Sequence, residues 1–252
     1  MVEHTRARSF GTVAADYDRF RPGYPAEALR WALAGTGAGA GAGAGASVVD
    51  LGAGTGLLTR DLRALGHRVT PVEPDPAMRA RLDTAVPGTT ALAGCAEAVP
   101  LPDASADAVL VGQAYHWFDR ERAHVEIARV LRPHGIFAPI WNIRDETVGW
   151  VAELGRIAQM GENVSDLTVK VTTFGAAFGP VELGRFTHRT TVTSDEVLGL
   201  LRTRSHWLVA APQQRQRLER DLRELFATHP DLAGRETVEL PYQTLVFRAR
   251  RR

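Results

Sequence analysis

Between residues 47 and 65 the chain passes from a β-branched run, Ser47-Val-Val-Asp-Leu51, through Gly52, Gly54 and Gly56 into a leucine-rich stretch. No other feature restricts the fold as much. A strand that ends in alternating glycines and turns at once into a helix leaves backbone without Cβ atoms beyond the strand's carboxyl end. In open α/β sheets that is where ligands approach. Leu57, Leu58, Leu62 and Leu65 form the apolar stripe that predicts a helix over 56–65.

Around this unit the chain alternates. Residues 25–34 predict a helix, 68–72 a second strand, and Pro76 opens another helix at its first position. A third strand is expected near 89–93 and a buried fourth at 106–111, Ala-Asp-Ala-Val-Leu-Val. Asp119 is placed to cap a helix reaching residue 131, stopped by Pro133 and Gly135, with a fifth strand at 136–141. Further on, 148–160, 195–207 and 212–227 predict helices, with Ser194 or Asp195 as cap of the second. Strands are predicted at 185–192 and 242–249. The sum is an α/β fold, a mostly parallel, Rossmann-like sheet of seven strands with helices on both faces.

The whole chain, 1–252, reads as one domain. Residues 1–34 form an N-terminal lid and helix, 35–46 a Gly/Ala linker, 47–141 the ligand-binding half and 142–252 the substrate side with the last strands. The linker, GTGAGAGAGAGA, is too rich in glycine for helix or strand and reads as a mobile connector. A formal charge of +1 gives no drive toward nucleic acid or an anionic membrane. Cys95 is the single cysteine, which excludes an internal disulfide and a cysteine zinc site. Neither an apolar signal core nor a stretch of about 20 apolar residues is present, so a cytoplasmic location is expected, with no membrane, no nucleic acid and no metal.

The chemistry centres on the glycine turn and one carboxylate. Glu73 ends the second strand, 21 residues beyond Gly52, where a carboxylate accepts from both hydroxyls of a ribose. The alternative is a solvated glutamate before Pro74. A dinucleotide turn needs glycine at position 57, and Leu57 stands there. The lysine of a phosphate-binding loop is also absent. A nucleoside without phosphate fits this turn better than NAD, FAD, ATP or GTP.

Taken together, Val48-Val-Asp-Leu-Gly-Ala-Gly-Thr-Gly56, Val72-Glu-Pro-Asp-Pro-Ala-Met78, Ala96-Glu-Ala-Val-Pro-Leu-Pro102 and Asp107-Ala-Val-Leu-Val111 resemble the class I S-adenosylmethionine-dependent methyltransferases. The likeness is to their small-molecule group, which includes trans-aconitate and ubiquinone/menaquinone methyltransferases. Residues 14–25 and Gln113-Ala-Tyr-His-Trp-Phe-Asp119 extend it, so that it spans about residues 10–141.

The resemblance implies S-adenosyl-L-methionine as cofactor and S-adenosyl-L-homocysteine as product. It places Gly52, Ala53, Gly54 and Gly56 along the methionine part, with Asp50 orienting that loop. Glu73 would hold the ribose, and Pro74 and Met78 would lie against the adenine. Cys95, Ala96 and Glu97 would border the adenine edge. Many relatives carry aspartate at the Cys95 position, and cysteine is a poor substitute for that acceptor. Gln113 would sit by the methionine part, with Tyr17 and Arg21 coming over it from the N-terminal segment. Tyr24 belongs to the same prospective lid, or to ordinary surface packing.

His116 is the candidate catalytic base, just past the fourth strand; the alternative is a structural histidine bonded to a loop carbonyl. Trp117 and Phe118 then form an apolar wall or pack beneath the loop. Trp141, Asn142, Arg144, Arg189, Arg202, Arg204, His206 and Trp207 are candidates for the acceptor pocket, their arginines suited to a carboxylate or else facing solvent. The expected function is methyl transfer to a small molecule carrying a carboxylate or hydroxyl, by a monomer or homodimer. A non-catalytic adenosylmethionine-binding protein and an NAD-dependent oxidoreductase are the alternatives.

Overall fold

The computed structural model describes residues 21–36, 45–158, 171–202, 207 and 210–252. Tyr17, Arg204 and His206, the centre of the Gly/Ala linker and the end of the 148–160 helix lie outside the described residues.

Helix α1 (Ala26–Leu33) leads to β1 (Ser47–Leu51), α2 (Leu57–Ala64), β2 (Arg68–Val72) and α3 (Pro76–Ala85). There follow β3 (Ala106–Gly112), a single 3-10 turn (Tyr115–Trp117), α4 (Arg120–Val130) and β4 (Leu131–Arg144). The C-terminal part comprises α5 (Gly149–Ile157), β5 (Glu182–Val192), α6 (Ser194–Arg202), α7 (Pro212–Thr228) and β6 (Val238–Arg250). Among the described residues these strands make one six-stranded sheet in the order β2-β1-β3-β4-β6-β5. The first four are mutually parallel, and β6 runs antiparallel to both β4 and β5. The fold is thus the mostly parallel α/β sheet that the alternation implies.

The third expected strand is the correction. At 89–93 only Leu92 pairs, as one parallel bridge to Val72. Its amide donates to Pro71 O and its carbonyl accepts from Glu73 N. Pro71 has no N–H to offer the Thr90 carbonyl, so the ladder does not extend toward residue 90. Two other boundaries moved for local reasons. β4 begins directly after α4 and runs through Pro133 and Gly135 as an irregular stretch, with His134 at φ 62°. The cap of α6 is Thr193: its hydroxyl accepts from Glu196 N, and the Glu196 carboxylate accepts from Thr193 N. This reciprocal pair satisfies two backbone donors at the helix start.

Apolar periodicity explains the layers. β3 is buried at six of its seven positions, as a central strand covered on both faces must be. On one face α1 and α2 bring Leu29, Leu58 and Leu62 onto Val48, Leu110 and Ile140. On the other, α4 and an aromatic group of Tyr115, Phe137, Phe174 and Phe178 cover Val49, Val109 and Leu245. A further cluster joins α5, α6 and α7 to the ends of β5 and β6 through Trp150, Leu201, Leu222 and Tyr242. Truncating a fully buried leucine such as Leu110 to alanine costs about 2–5 kcal/mol, because the packed walls cannot collapse around the hole. No described helix is long and apolar enough to cross a membrane.

Candidate functional site

At the carboxyl ends of β1, β3 and β4 a cleft opens. Its floor is the turn between β1 and α2, and Gly112 and Gln113 line it after β3. Asn142 and Tyr242 contribute from β4 and β6, and Arg21, Pro22 and Tyr24 close it from the N-terminal side. The turn's glycines have separate tasks. Gly54 has φ +56° and open space where a Cβ would stand, so a ligand can lie directly on its backbone. A Cβ on Gly56 would come within 2.8 Å of Leu82 and 2.9 Å of Val86, so that glycine lets α3 pack on the turn.

Two buried carboxylates flank this cradle. Asp50 is 1% exposed; its Oδ2 accepts from the Thr59 hydroxyl at 2.6 Å. Its Oδ1 is buried without a hydrogen-bond partner among the described residues. Burial pushes this carboxyl up to about 7, the Thr59 hydrogen bond opposes the rise, and the Glu73 charge adds to it. Glu73 sits at the end of β2, where it accepts from Gly54 N and Asp75 N, both at 2.9 Å. Burial raises its pKa, and those two amides hold it back. Asp75 in turn caps α3, accepting from Ala77 N and Met78 N. One short loop thus fixes a carboxylate against the glycine turn from which a ligand would be read.

The segment 21–24 lies across the cleft as a strap. Tyr24 N donates to the Asp61 carboxylate at 2.7 Å. A Cβ on Gly112 would lie 2.6 Å from the Tyr24 hydroxyl, so only glycine there admits the ring. Gln113, at φ +59°, donates its amide to Ile140 O and its Nε2 to Asn142 O. A left-handed non-glycine residue at a strand end is strained, and such strain clusters at binding sites.

Of the residues expected from the sequence, Arg21, Asp50, Gly52, Ala53, Gly54 and Gln113 line this cleft together. Glu73 joins it through the Gly54 amide. Gly56, Pro74, Met78, Cys95, Ala96 and Glu97 are not among its lining residues. Pro74 is exposed, and Met78, on α3, is 6% exposed. Ala96 is buried in the core, and Cys95 forms a bridge to Ala98 with its thiol pKa raised by burial. Glu97 accepts from the Asp119 amide at 2.8 Å, joining the connection between α3 and β3 to the loop after β3.

His116 is exposed on the 3-10 turn with its ring 4.6 Å from that of Trp117, and it is not among the cleft's walls. Its neighbour Tyr115 is the anchoring residue of that stretch, fully buried and hydrogen-bonded to His124 Nε2 at 2.8 Å. Arg189 is exposed, and Arg202 pairs with Glu219 on the surface, so neither forms a pocket wall. Trp141 and Trp207 are core residues.

The sequence reading did not assign Thr55, Leu57, Leu58, Gly112 or Tyr242 to the site, all of which line the cleft. Gly112 ends a strand and could have been suspected on that ground. Tyr242 arrives from the last strand and carries no local signal. Among the described residues no group of three or more His, Cys, Asp or Glu could hold a metal.

Comparison with known proteins agrees with this geometry. Residues 49–138 match the model of a methyltransferase domain family. A methyltransferase of Mycobacterium tuberculosis whose own role is uncharacterized is 42% identical over 242 residues, covering 96% of this chain and 95% of that protein. A structure from Anaeromyxobacter dehalogenans described as a type II methyltransferase superposes with a TM-score of 0.65 at 26% identity, covering 92% of this chain and 98% of that one. A phosphoethanolamine N-methyltransferase of Haemonchus contortus, solved with S-adenosylhomocysteine, shares the fold at a TM-score of 0.54 and 17% identity, over 97% of this chain and 60% of that one. A glycine cradle between two buried carboxylates, on a sheet of this order and with relatives matched end to end, makes the chain a methyltransferase of the class I S-adenosylmethionine-dependent family.

Proposed function

We propose that this protein transfers the methyl group of S-adenosyl-L-methionine to a small-molecule acceptor that carries a carboxylate or hydroxyl. The observation that carries the reading is the Gly54 backbone, open to the cleft, with the unsatisfied Asp50 Oδ1 on one side and the Glu73 carboxylate on the other. An orphaned buried carboxylate oxygen suits a cationic or N–H-bearing ligand, and a carboxylate held by two backbone amides suits vicinal hydroxyls. When bound, the cofactor supplies a methyl group made electrophilic by a positive sulfur.

The chain's own residues do the rest. Gly52, Ala53 and Gly54 would receive the methionine part along the backbone, and Glu73 would accept from the ribose. Pro74, Met78, Cys95, Ala96 and Glu97 remain the residues proposed for the adenine end. Gln113 and Asn142 form the wall nearest the reacting centre, and the Arg21–Tyr24 strap excludes water from it. The solved relative that holds S-adenosylhomocysteine supports the cofactor assignment through its shared fold.

Arg144 and Tyr242 are paired across β4 and β6 at the ligand end of the sheet. Arg144 is buried beside Arg21 and Tyr242; burial lowers the affinity of its guanidinium for its proton, with Tyr242 and Glu146 opposing and Arg21 assisting. Arg21 lines the cleft and the buried Arg144 charge lies behind it, a positive field that favours an anionic acceptor. Alignment of nucleophile, carbon and sulfur within such a cleft is worth up to about 7–11 kcal/mol, so the reaction asks little of a general base when the acceptor is already an anion.

Titration calorimetry with S-adenosylhomocysteine tests the reading directly, and labelled adenosylmethionine offered with a panel of carboxylic acids, phenols and amines tests the acceptor. Binding together with label transfer to an acid or hydroxyl is the expected result. No uptake of either cofactor form would refute the cofactor assignment, and transfer to amines alone would refute the acceptor class.

A further inference from the structure

The strap over the cleft is held from below by one side chain. Asn142 on β4 donates its two amide hydrogens to the Gly23 carbonyl at 3.0 Å and the Pro22 carbonyl at 3.3 Å. Its Oδ1 accepts from the Thr244 hydroxyl at 2.7 Å, and its own carbonyl accepts from Gln113 Nε2 at 3.0 Å. A residue that is only 8% exposed therefore ties together the strap, the turn after β3, and β6.

The polarity of this arrangement is fixed by counting protons. Two carbonyl oxygens face the amide from the strap side, so the NH₂ end must point there and Oδ1 must point to Thr244. A hydroxyl has a single proton to give, and Thr244 gives it to Asn142. Thr244 Oγ1 is also 3.2 Å from His188 Nδ1, so in that contact the hydroxyl must accept. His188 therefore carries its proton on Nδ1 and leaves Nε2 bare. That atom is buried with no hydrogen-bond partner among the described residues. The ring is held in place by stacking on Tyr242, with centroids 5.3 Å apart and planes at 16°. Were the amide of Asn142 reversed, its oxygen would face two other oxygens and both strap hydrogen bonds would be lost.

We propose that Asn142 is a positioning residue of the cofactor cleft, and that Thr244 and His188 set the direction of its amide so that the Arg21–Tyr24 strap stays closed. The ligand half of this inference rests on the adenosylmethionine reading; the strap half does not. The three side chains come from β4, β6 and β5, 102 and 56 residues apart along the chain, so no local motif announces them.

The test uses the full chain and two readouts, hydrogen exchange at the Tyr24 amide and calorimetric affinity for S-adenosylhomocysteine. Thr244→Val keeps the shape and removes the hydroxyl, Thr244→Ser restores it, and Asn142→Asp replaces the donor with a charge that repels both carbonyls. His188→Phe keeps the stack on Tyr242 and removes the Nδ1 proton. Thr244→Val and Asn142→Asp are expected to speed Tyr24 exchange and weaken ligand binding by about tenfold, the scale of one lost hydrogen bond. His188→Phe should act in the same direction, and Thr244→Ser should match the parent. Amides of β1 and β3 should keep their protection in every variant that folds.

Unchanged Tyr24 exchange and affinity in Thr244→Val would overturn the inference. Equal losses in Thr244→Ser, or faster exchange spread through β1 and β3, would show packing alone and overturn it too. If the parent protein takes up no S-adenosylhomocysteine, the cofactor reading fails and Tyr24 exchange alone decides the strap.

Discussion

Asp50→Asn should make this protein more stable, and the gain should depend on pH. The parent carboxyl is 1% exposed and pushed up to about 7 from its ordinary 3.8, chiefly by burial. An acid whose native pKa lies above its unfolded value holds its proton more tightly when folded. Its contribution is therefore most favourable below the unfolded value, is lost as pH rises toward 7, and stays lost above that. At about 1.4 kcal/mol for each pH unit between the two values, the buried Asp50 carboxyl costs about 4 kcal/mol at pH 8, where it is ionised, and about 2 kcal/mol at pH 5, where it keeps a proton the unfolded chain would release.

Asparagine keeps an oxygen for the Thr59 hydroxyl and carries no charge, so it removes that cost. The burial cost of its amide is the same at both pH values, which makes the change between them the cleaner quantity. Urea unfolding of parent and variant at pH 5 and pH 8 should show the variant's advantage growing by about 2–3 kcal/mol, a large share of the 5–15 kcal/mol typical of a domain. Affinity for S-adenosylhomocysteine should fall in the same variant, since stability held back at a site is commonly tied to function. An advantage that is constant between the two pH values would refute the reasoning about Asp50.

Glu73→Ala removes the acceptor of two backbone amides and the proposed ribose contact; calorimetry should show S-adenosylhomocysteine affinity reduced by at least about 30-fold, as for a charge-assisted pair of hydrogen bonds. Gly112→Ala brings a Cβ to 2.6 Å from the Tyr24 hydroxyl, and the overpacking should cost about 1–3 kcal/mol in thermal or urea unfolding. Tyr24→Phe in the same background should recover most of that loss, and no recovery would place the clash elsewhere. His116→Ala should leave the single-turnover rate of methyl transfer within about threefold of the parent, whereas a general base contributes about 100-fold or more. A fall of that size would identify His116 as the proton acceptor.

The legible part of this protein was local. The strand–turn–helix at 47–65 specified β1 and α2 almost to the residue, because alternating glycines and a leucine stripe act within one turn of chain. Pro76 announced the start of α3, and the buried run at 106–111 announced β3. Glu73 was readable because its place is fixed by its distance from the glycine turn along a strand and a helix of standard length. The strand expected at 89–93 reduces to one bridge although its composition suits a strand, because Pro71 of the neighbouring strand lacks the N–H that a further bond to Thr90 would need. His116 drew attention by its chemistry and its place after a strand. The 3-10 turn directs Tyr115 inward and leaves His116 exposed, an outcome that only the aromatic packing around Tyr115 decides.

By itself the sequence determined the order of most elements, the glycine turn and the carboxylate placed against it, since each depends on residues within one secondary element or its immediate connection. Tertiary structure decided which walls close the cleft: Tyr242 and Asn142 meet Arg21 there only because β6 inserts antiparallel between β4 and β5. Register across three strands and a hydroxyl's single proton select those partners. Neither leaves a trace in residues that stand a hundred positions apart.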